Sequence, residues 1–412
     1  MLTVNHKQCT GCGSCIEACP QLAVVTVRDK YKFIYPSVNA EQCISCGKCV
    51  DACPLHHSDS PPPLSPDVRY YAAKALDKAL LRDSHAGGIF PLLARAVLSR
   101  GGVVYGCAFD EVRHPRHIRV EQPDDIAKLQ GLKPVQSDTS GIFRRVRCDL
   151  EAGRTVLFSG TPCQCDGLRR FLGADGDVSR LILVDMLCGG VTSEGIFHRY
   201  VRWLEEKIGG SVRSLRFENK PAFGHSPGLR IIFRRGKFRY LLSVPAAWDM
   251  LYAMYRKGCI SRRACGDCRY AVPARVGDIT LGRFERIRRA HPDFPYDNGV
   301  SLVITSTPKG AGLLAQIAPQ LMLEESDLER AAVNRRLVTP IPTHPHRAML
   351  LSDIYRHGFS KAAEKFGSPG LTDAFTSLIT SALPDGAVIR CDRLARRIRA
   401  KLAKKAPSDS LS

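Results

Sequence analysis

Long apolar runs are absent from this 412-residue chain. No stretch approaches the roughly 18 residues that a membrane-spanning helix needs, so no transmembrane segment is expected. The opening residues, Met1-Leu2-Thr3-Val4-Asn5-His6-Lys7, carry no apolar core of the kind a secretory leader has, which points to a cytoplasmic protein. Acids are in deficit, 40 against 60 Lys and Arg, giving a formal net charge of +20. There is no Gly-x-Gly-x-x-Gly fingerprint and no Walker loop, which argues against a simple Rossmann unit. Helix-turn-helix and RNA-binding aromatic motifs are missing too, so the positive charge alone does not imply a nucleic-acid partner. With 44% hydrophobic and 24% charged residues, the composition is that of a folded globular chain.

What the chain has in excess is cysteine, 17 in all. Eight fall in two runs, Cys9-x2-Cys12-x2-Cys15-x3-Cys19-Pro20 and Cys43-x2-Cys46-x2-Cys49-x3-Cys53-Pro54. The second repeats the first 34 residues later, together with Gln8/Gln42, Gly13/Gly47 and Ala18/Ala52. This is the bacterial two-cluster ferredoxin spacing. Two-residue gaps let three thiolates on one tight loop reach three irons, and the fourth cysteine ligates the other cluster. One [4Fe-4S] cluster is therefore assigned to Cys9, Cys12, Cys15 and Cys53, the other to Cys43, Cys46, Cys49 and Cys19. A pair of zinc knuckles is the alternative, but zinc sites separate two Cys-x-x-Cys pairs by a dozen or more residues. Between the runs, residues 23–27 and 31–35 read as a β-hairpin closed by Pro36.

The expected fold is an α+β ferredoxin-like N-terminal domain (1–57), followed by an α/β domain with a mixed sheet (70–345) and a helical, basic C-terminal tail (346–412). Four prolines within residues 56–66 make 58–69 a stiff linker. His56 and His57 read as exposed linker histidines. Within the α/β domain, an N-terminal part (about 70–150) and a C-terminal part (about 151–310) are distinguished. Apolar, β-branched runs at 103–109, 155–159 and 181–187 suit buried parallel strands. Helices are expected at 90–98, through 171 and at 193–208. A hairpin is expected at 229–242, with further strands at 276–281 and 300–306. Residues 388–405 hold eight Lys/Arg, and Cys391, Leu394, Ile398 and Leu402 share a helical face. That helix suits an anionic membrane surface, an acidic partner or plain solvent.

Nine cysteines remain. Cys163 falls in the first turn of a helix, where the dipole favours thiolate. Cys188 lies where the next strand ends, and neighbouring parallel strands end on one sheet edge. With the knuckle Cys265-Gly266-Asp267-Cys268 they make a four-thiolate set: Cys163, Cys188, Cys265 and Cys268. Cys107 and Cys148 read as small buried hydrophobes, with Cys165 and Cys259 as reserve ligands.

Several phrases resemble the β-subunit family of coenzyme F-420 hydrogenases and dehydrogenases. They are Ala86-Gly87-Gly88-Ile89-Phe90, Gly102-Val103-Val104-Tyr105-Gly106-Cys107, Leu157-Phe158-Ser159-Gly160-Thr161-Pro162-Cys163-Gln164, Val184-Asp185-Met186-Leu187-Cys188, Cys265-Gly266-Asp267-Cys268 and Gly277-Asp278-Ile279-Thr280. The resemblance implies an FAD, a third [4Fe-4S] cluster on the four-thiolate set, and flavin contacts at Gly87, Gly88, Thr161 and Asp278. On the residues alone, Gly87-Gly88 suits a pyrophosphate or a plain helix start. Asp278 likewise suits flavin or a turn cap, and His85 a proton donor or a solvated histidine. The sequence departs from the family pattern at Ala86, Gly189 and Arg283. The resemblance implies an FAD- and iron–sulfur-dependent reductase or dehydrogenase acting on a deazaflavin- or tetrapyrrole-like small molecule. Its partners would be an acidic electron carrier such as ferredoxin, or a partner enzyme subunit. An electron-relay subunit without a substrate of its own is the alternative. Three oxidised clusters would lower the net charge to about +14.

Overall fold

The two cysteine runs fold around a short antiparallel ribbon, β1 (Val24–Arg28) paired with β2 (Ile34–Val38). A computed structural model describes residues 2–110, 114–173, 176–219, 228–245 and 249–366. The ribbon's second arm starts three residues later than the sequence suggests. Asp29 Oδ1 accepts the backbone N–H groups of Tyr31 and Phe33, each at 2.9 Å, and so widens the turn. Pro36 consequently lies inside β2, opposite Thr26. A two-stranded ribbon has only edge strands, so the missing N–H is tolerated.

The remaining strands are β3 (Arg69–Ala75), β4 (Val103–Phe109), β5 (Pro115–Val120), β6 (Val156–Ser159), β7 (Leu181–Met186), β8 (Ser211–Asn219), β9 (Gly228–Arg235), β10 (Phe238–Pro245), β11 (Ile279–Arg283), β12 (Ser301–Thr305) and β13 (Leu321–Ser326). Eight form one mixed sheet in the order β13-β3-β12-β11-β7-β6-β4-β5. Its centre, β11-β7-β6-β4, is parallel, and antiparallel strands flank it on both sides. The central strands are buried on both faces, which explains their continuous apolar runs. Val104, Leu157, Val184 and Ile279 face the Ile89–Leu98 and Pro308–Ile317 helices. Val103, Tyr105, Val156 and Phe158 face Phe143 and the Pro162–Leu172 helix. Each such fully buried side chain contributes about 1.5–3 kcal/mol.

β8, β9 and β10 form a separate three-stranded sheet. Beside it, the Glu194–Ile208 helix packs against the Arg347–Phe366 segment, whose two helices meet at Gly358. Leu350, Leu351, Ile354 and Phe359 are buried there. The segment assigned from sequence to the tail thus begins as part of a core. The basic stretch 388–405 lies outside the described residues.

The proline-rich segment 58–69 is strapped down. Ser60 is buried and its hydroxyl donates to Asp166, while Arg170 donates to Asp59. Polar contacts also fix the N-terminal cysteine loops to the sheet domain. Ser14 Oγ donates to the Gly167 carbonyl (2.7 Å), Thr139 Oγ1 to that of Cys12 (3.1 Å), and the Gly141 N–H to Glu17 (2.7 Å).

Candidate functional site

The N-terminal thiols are brought together much as their spacing suggests. Cys15 interacts electrostatically with Cys53 and Cys9, and Cys12 with Cys15 and Cys53. Cys49 interacts in the same way with Cys19 and Cys43, while Cys46 is exposed at its loop. Loop N–H groups point at sulfur, Gly11 at Cys9 and Ser14 at Cys12. Gly11 has a φ of +66°, and a Cβ there would come 2.6 Å from both Arg262 and Gln136. The position therefore needs glycine for conformation and for docking alike.

The second set is assembled from three distant segments. Cys188 interacts with Cys265, Cys163 and Cys268, all buried or half-buried. Cys163 lies in the first turn of the Pro162–Leu172 helix, whose start carries a capping box: Gln164 Oε1 accepts the Thr161 N–H at 3.1 Å. The sequence suggests a thiolate favoured by the helix dipole. Burial instead pushes the free Cys163 thiol up to about 11, although Thr161 Oγ1, 3.2 Å from the sulfur, opposes this. Burial, followed by the neighbouring Cys163, likewise drives Cys265 up to about 12. Such desolvated, mutually repelling thiols suit a cationic iron centre, which binds them as thiolates and relieves the repulsion. Zinc fits less well. A tetrahedral zinc site holds its sulfurs about 3.8 Å apart, and among the described residues no three cysteine sulfurs lie within 4.8 Å of one another.

The two regions meet. Cys12 interacts with Cys163, and Arg262 is buried between them. Arg262 Nη1 donates to the Cys9 carbonyl (2.9 Å), and its Nε and Nη2 to Gln136 Oε1 (3.2 and 3.0 Å). Gln136 in turn donates to the carbonyls of Thr10 and Gly11 (3.2 and 2.9 Å). The guanidinium also lies over the Tyr35 ring and partly offsets the rise that burial gives the pKa of Cys9, Cys163 and Cys265.

A cavity of about 740 Å³ opens beside Cys163. Its wall takes Cys107, Ser159-Gly160-Thr161, Asp185-Met186-Leu187 and Leu281-Gly282-Arg283 from the carboxyl ends of β4, β6, β7 and β11. Ligands of open α/β sheets bind at that edge, and the volume lies within the usual range for ligand sites. Lys133, Arg256, Arg283, Arg286, Arg288 and Arg336 also line it, against Asp185 and Glu285. Asp185 is already paired with buried Arg275 at 3.3 Å, so the cavity favours an anion.

Buried His117 contributes to the same wall. Its Nε2 lies 3.0 Å from the Ser159 carbonyl and its Nδ1 3.0 Å from Ser137 Oγ, which accepts from Gln164 Nε2. Burial lowers its pKa to about 4, so the ring is neutral at pH 7.

Of the flavin contacts implied by resemblance, Thr161 lines the cavity and three do not. Gly87 donates to Ser301 Oγ at 2.9 Å, and a Cβ there would come 2.2 Å from the Ala73 carbonyl oxygen. Gly88 (φ +75°) packs against Leu80. The glycine pair thus serves close packing of a helix start on β3. Asp278 accepts the Leu183 N–H (2.7 Å) and the Thr307 hydroxyl (2.6 Å), anchoring the strands rather than facing the cavity. His85, Ala86 and Arg283 are on the cavity wall, whereas Gly189 packs against Tyr255 and Arg336. Cys107 belongs to that wall and is half-buried; Cys148, expected inside, is exposed on its helix. Cys165 and Cys259 are buried in hydrophobic cores; Cys165 shares its core with Cys163 and Cys268 and interacts electrostatically with Cys163. His117 and Lys133 carry no local sequence signal and emerge only from the fold.

Residues 8–57 match the 4Fe-4S dicluster domain, and residues 153–331 match the C terminus of the coenzyme F420 hydrogenase/dehydrogenase beta subunit. No curated protein matches the chain. Among solved structures, the F420-reducing [NiFe] hydrogenase complex from Methanosarcina barkeri, studied by xenon derivatization, contains a similar chain: 17% identity over 67% of this chain and 90% of that one, TM-score 0.44. Among the described residues no helix is long and apolar enough to cross a membrane. The chain therefore carries a 4Fe-4S dicluster match ahead of a region similar to the C terminus of the coenzyme F420 hydrogenase/dehydrogenase beta subunit.

Proposed function

We propose that this protein is an FAD-dependent reductase or dehydrogenase that exchanges electrons between three [4Fe-4S] clusters and an anionic organic molecule in the cavity. The observation that carries this reading is that Cys163 belongs both to the four-thiol set and to the cavity wall. The ligand sets are Cys9, Cys12, Cys15 and Cys53; Cys43, Cys46, Cys49 and Cys19; and Cys163, Cys188, Cys265 and Cys268. When bound, the clusters supply one-electron transfer and the flavin couples it to two-electron chemistry.

The chain's own residues provide the surroundings. Arg283, Arg286 and Arg288 offer a cationic seat for a pyrophosphate or substrate carboxylates, and Thr161 a hydroxyl beside Cys163. Lys133, whose pKa burial lowers, and Cys107 are proton-bearing groups on the cavity wall. Neutral His117 donates its Nε2 proton to the Ser159 carbonyl and thereby holds the loop before Thr161 in place. A deazaflavin- or tetrapyrrole-like substrate satisfies the demand for an anionic, redox-active ring. The exposed Cys46 and the net charge of +20 favour entry of electrons from an acidic carrier such as a ferredoxin.

Anaerobically purified protein is expected to show a flavin absorption band that reduced ferredoxin bleaches. Full iron content without flavin would instead make the chain a relay serving a partner enzyme.

A further inference from the structure

Away from the thiols and the cavity, one compact group of metal-capable side chains stands out among the described residues: His114, Glu194 and His198. We propose that these three bind a divalent transition-metal ion, with Zn²⁺ the best chemical match.

The site joins two elements. Glu194 is the first residue of the Glu194–Ile208 helix, behind the capping residue Ser193, and His198 follows one turn later on the same face. His114 precedes β5, where its carbonyl accepts the Asp110 N–H at 3.1 Å. His114 Nδ1 lies 2.7 Å from Glu194 Oε1, and His198 Nε2 lies 3.6 Å from the same oxygen. Zinc bonds of about 2.0–2.2 Å at tetrahedral angles place donors about 3.3–3.6 Å apart. The observed separations straddle that value, so small side-chain rotations complete the site. Side-chain exposures of 47%, 21% and 33% leave a coordination position open to water.

The surroundings select the class of ion. Arg28, Lys32 and Arg116 border the adjoining cleft, which disfavours a hard cation held by charge alone. Two imidazoles and one carboxylate instead suit Zn²⁺ and its transition-metal neighbours, which bond strongly to nitrogen. Arg116 is engaged by Asp110, whereas Arg28 of β1 reaches Glu194 Oε2 at 3.5 Å. Metal and Arg28 therefore compete for one carboxylate, and Arg28 belongs to the ribbon of the cluster-bearing region. Metal binding would weaken one contact between that region and the sheet domain.

The test is a calorimetric Zn²⁺ titration of anaerobic, cluster-loaded protein, with cluster absorbance recorded throughout. One Zn²⁺ per chain is expected at unchanged absorbance. His114→Gln and His198→Gln should each weaken binding by about tenfold or more, and Arg28→Gln should tighten it. The site is overturned if Zn²⁺ does not saturate while the clusters stay intact, or if both histidine variants bind as well as the parent, which would put the ion on thiols. Unchanged affinity in Arg28→Gln would refute the competition.

Discussion

The eight N-terminal cysteines and the four at the carboxyl edge of the sheet hold sulfur by different means. In the first region, ligand spacing is written into two short loops, with Gly11, Gly13 and Gly47 at positive φ. In the second, Cys163, Cys188 and the Cys265/Cys268 knuckle come from three segments that meet only because β6 and β7 end on one edge and the knuckle folds against them. The first arrangement is set by local spacing and docked on the sheet domain by polar contacts; the second exists only when the sheet is intact. Arg262 ties them together, with its head group on Cys9 and Gln136 and its field on Cys163 and Cys265.

Several measurements sharpen or break this contrast. The largest effect should come from Cys188→Ser, which should lower anaerobic iron content from about twelve to about eight per chain and leave the N-terminal clusters spectroscopically intact. Loss of all iron would show that the two regions are not separable. Arg262→Gln should come next. It strands buried carbonyls and should cost about 2–4 kcal/mol in stability, read by thermal unfolding. It should also lower the reduction potentials of the two clusters nearest Arg262, since a buried cation favours their more negative reduced forms. The distal cluster on Cys43, Cys46, Cys49 and Cys19 should not shift.

A pH effect is expected at His117. Its folded pKa of about 4 lies below the unfolded value of 6.5. The unfolded chain therefore binds the extra proton first, and stability is lost as pH falls from about 6.5 toward 4. The loss is about 3 kcal/mol at most. His117→Gln should flatten that part of an acid-unfolding profile; an unaltered slope would show that the ring is not buried neutral. The smallest effect belongs to Cys148→Ser. The residue is exposed, so iron content should be unchanged and stability should move by less than about 0.5 kcal/mol.

Legibility followed the same division. The cysteine runs could be read because their ligands are local, and the central strands because burial on both faces leaves apolar runs such as Leu181-Ile182-Leu183-Val184. The peripheral strands were harder. β5, Pro-Arg-His-Ile-Arg-Val, and β13, Leu-Met-Leu-Glu-Glu-Ser, sit at the two sheet edges and carry charges that mask any period. β3 contains Ala72, Ala73 and Ala75, buried small residues with little strand signature. The glycine pair Gly87-Gly88 shows how one local pattern carries two readings. It looks like a phosphate cradle, yet contact with β3 and Leu80 already accounts for both glycines. The cationic character of the cavity could not be read locally, since its basic residues converge from Lys133 to Arg336.

The most direct test of the central claim is the iron, sulfide and flavin stoichiometry of oxygen-free protein. About twelve irons, twelve sulfides and one flavin per chain are expected from three cubane sites beside an occupied cavity. Zinc in place of iron, or protein without iron and sulfide, would contradict it.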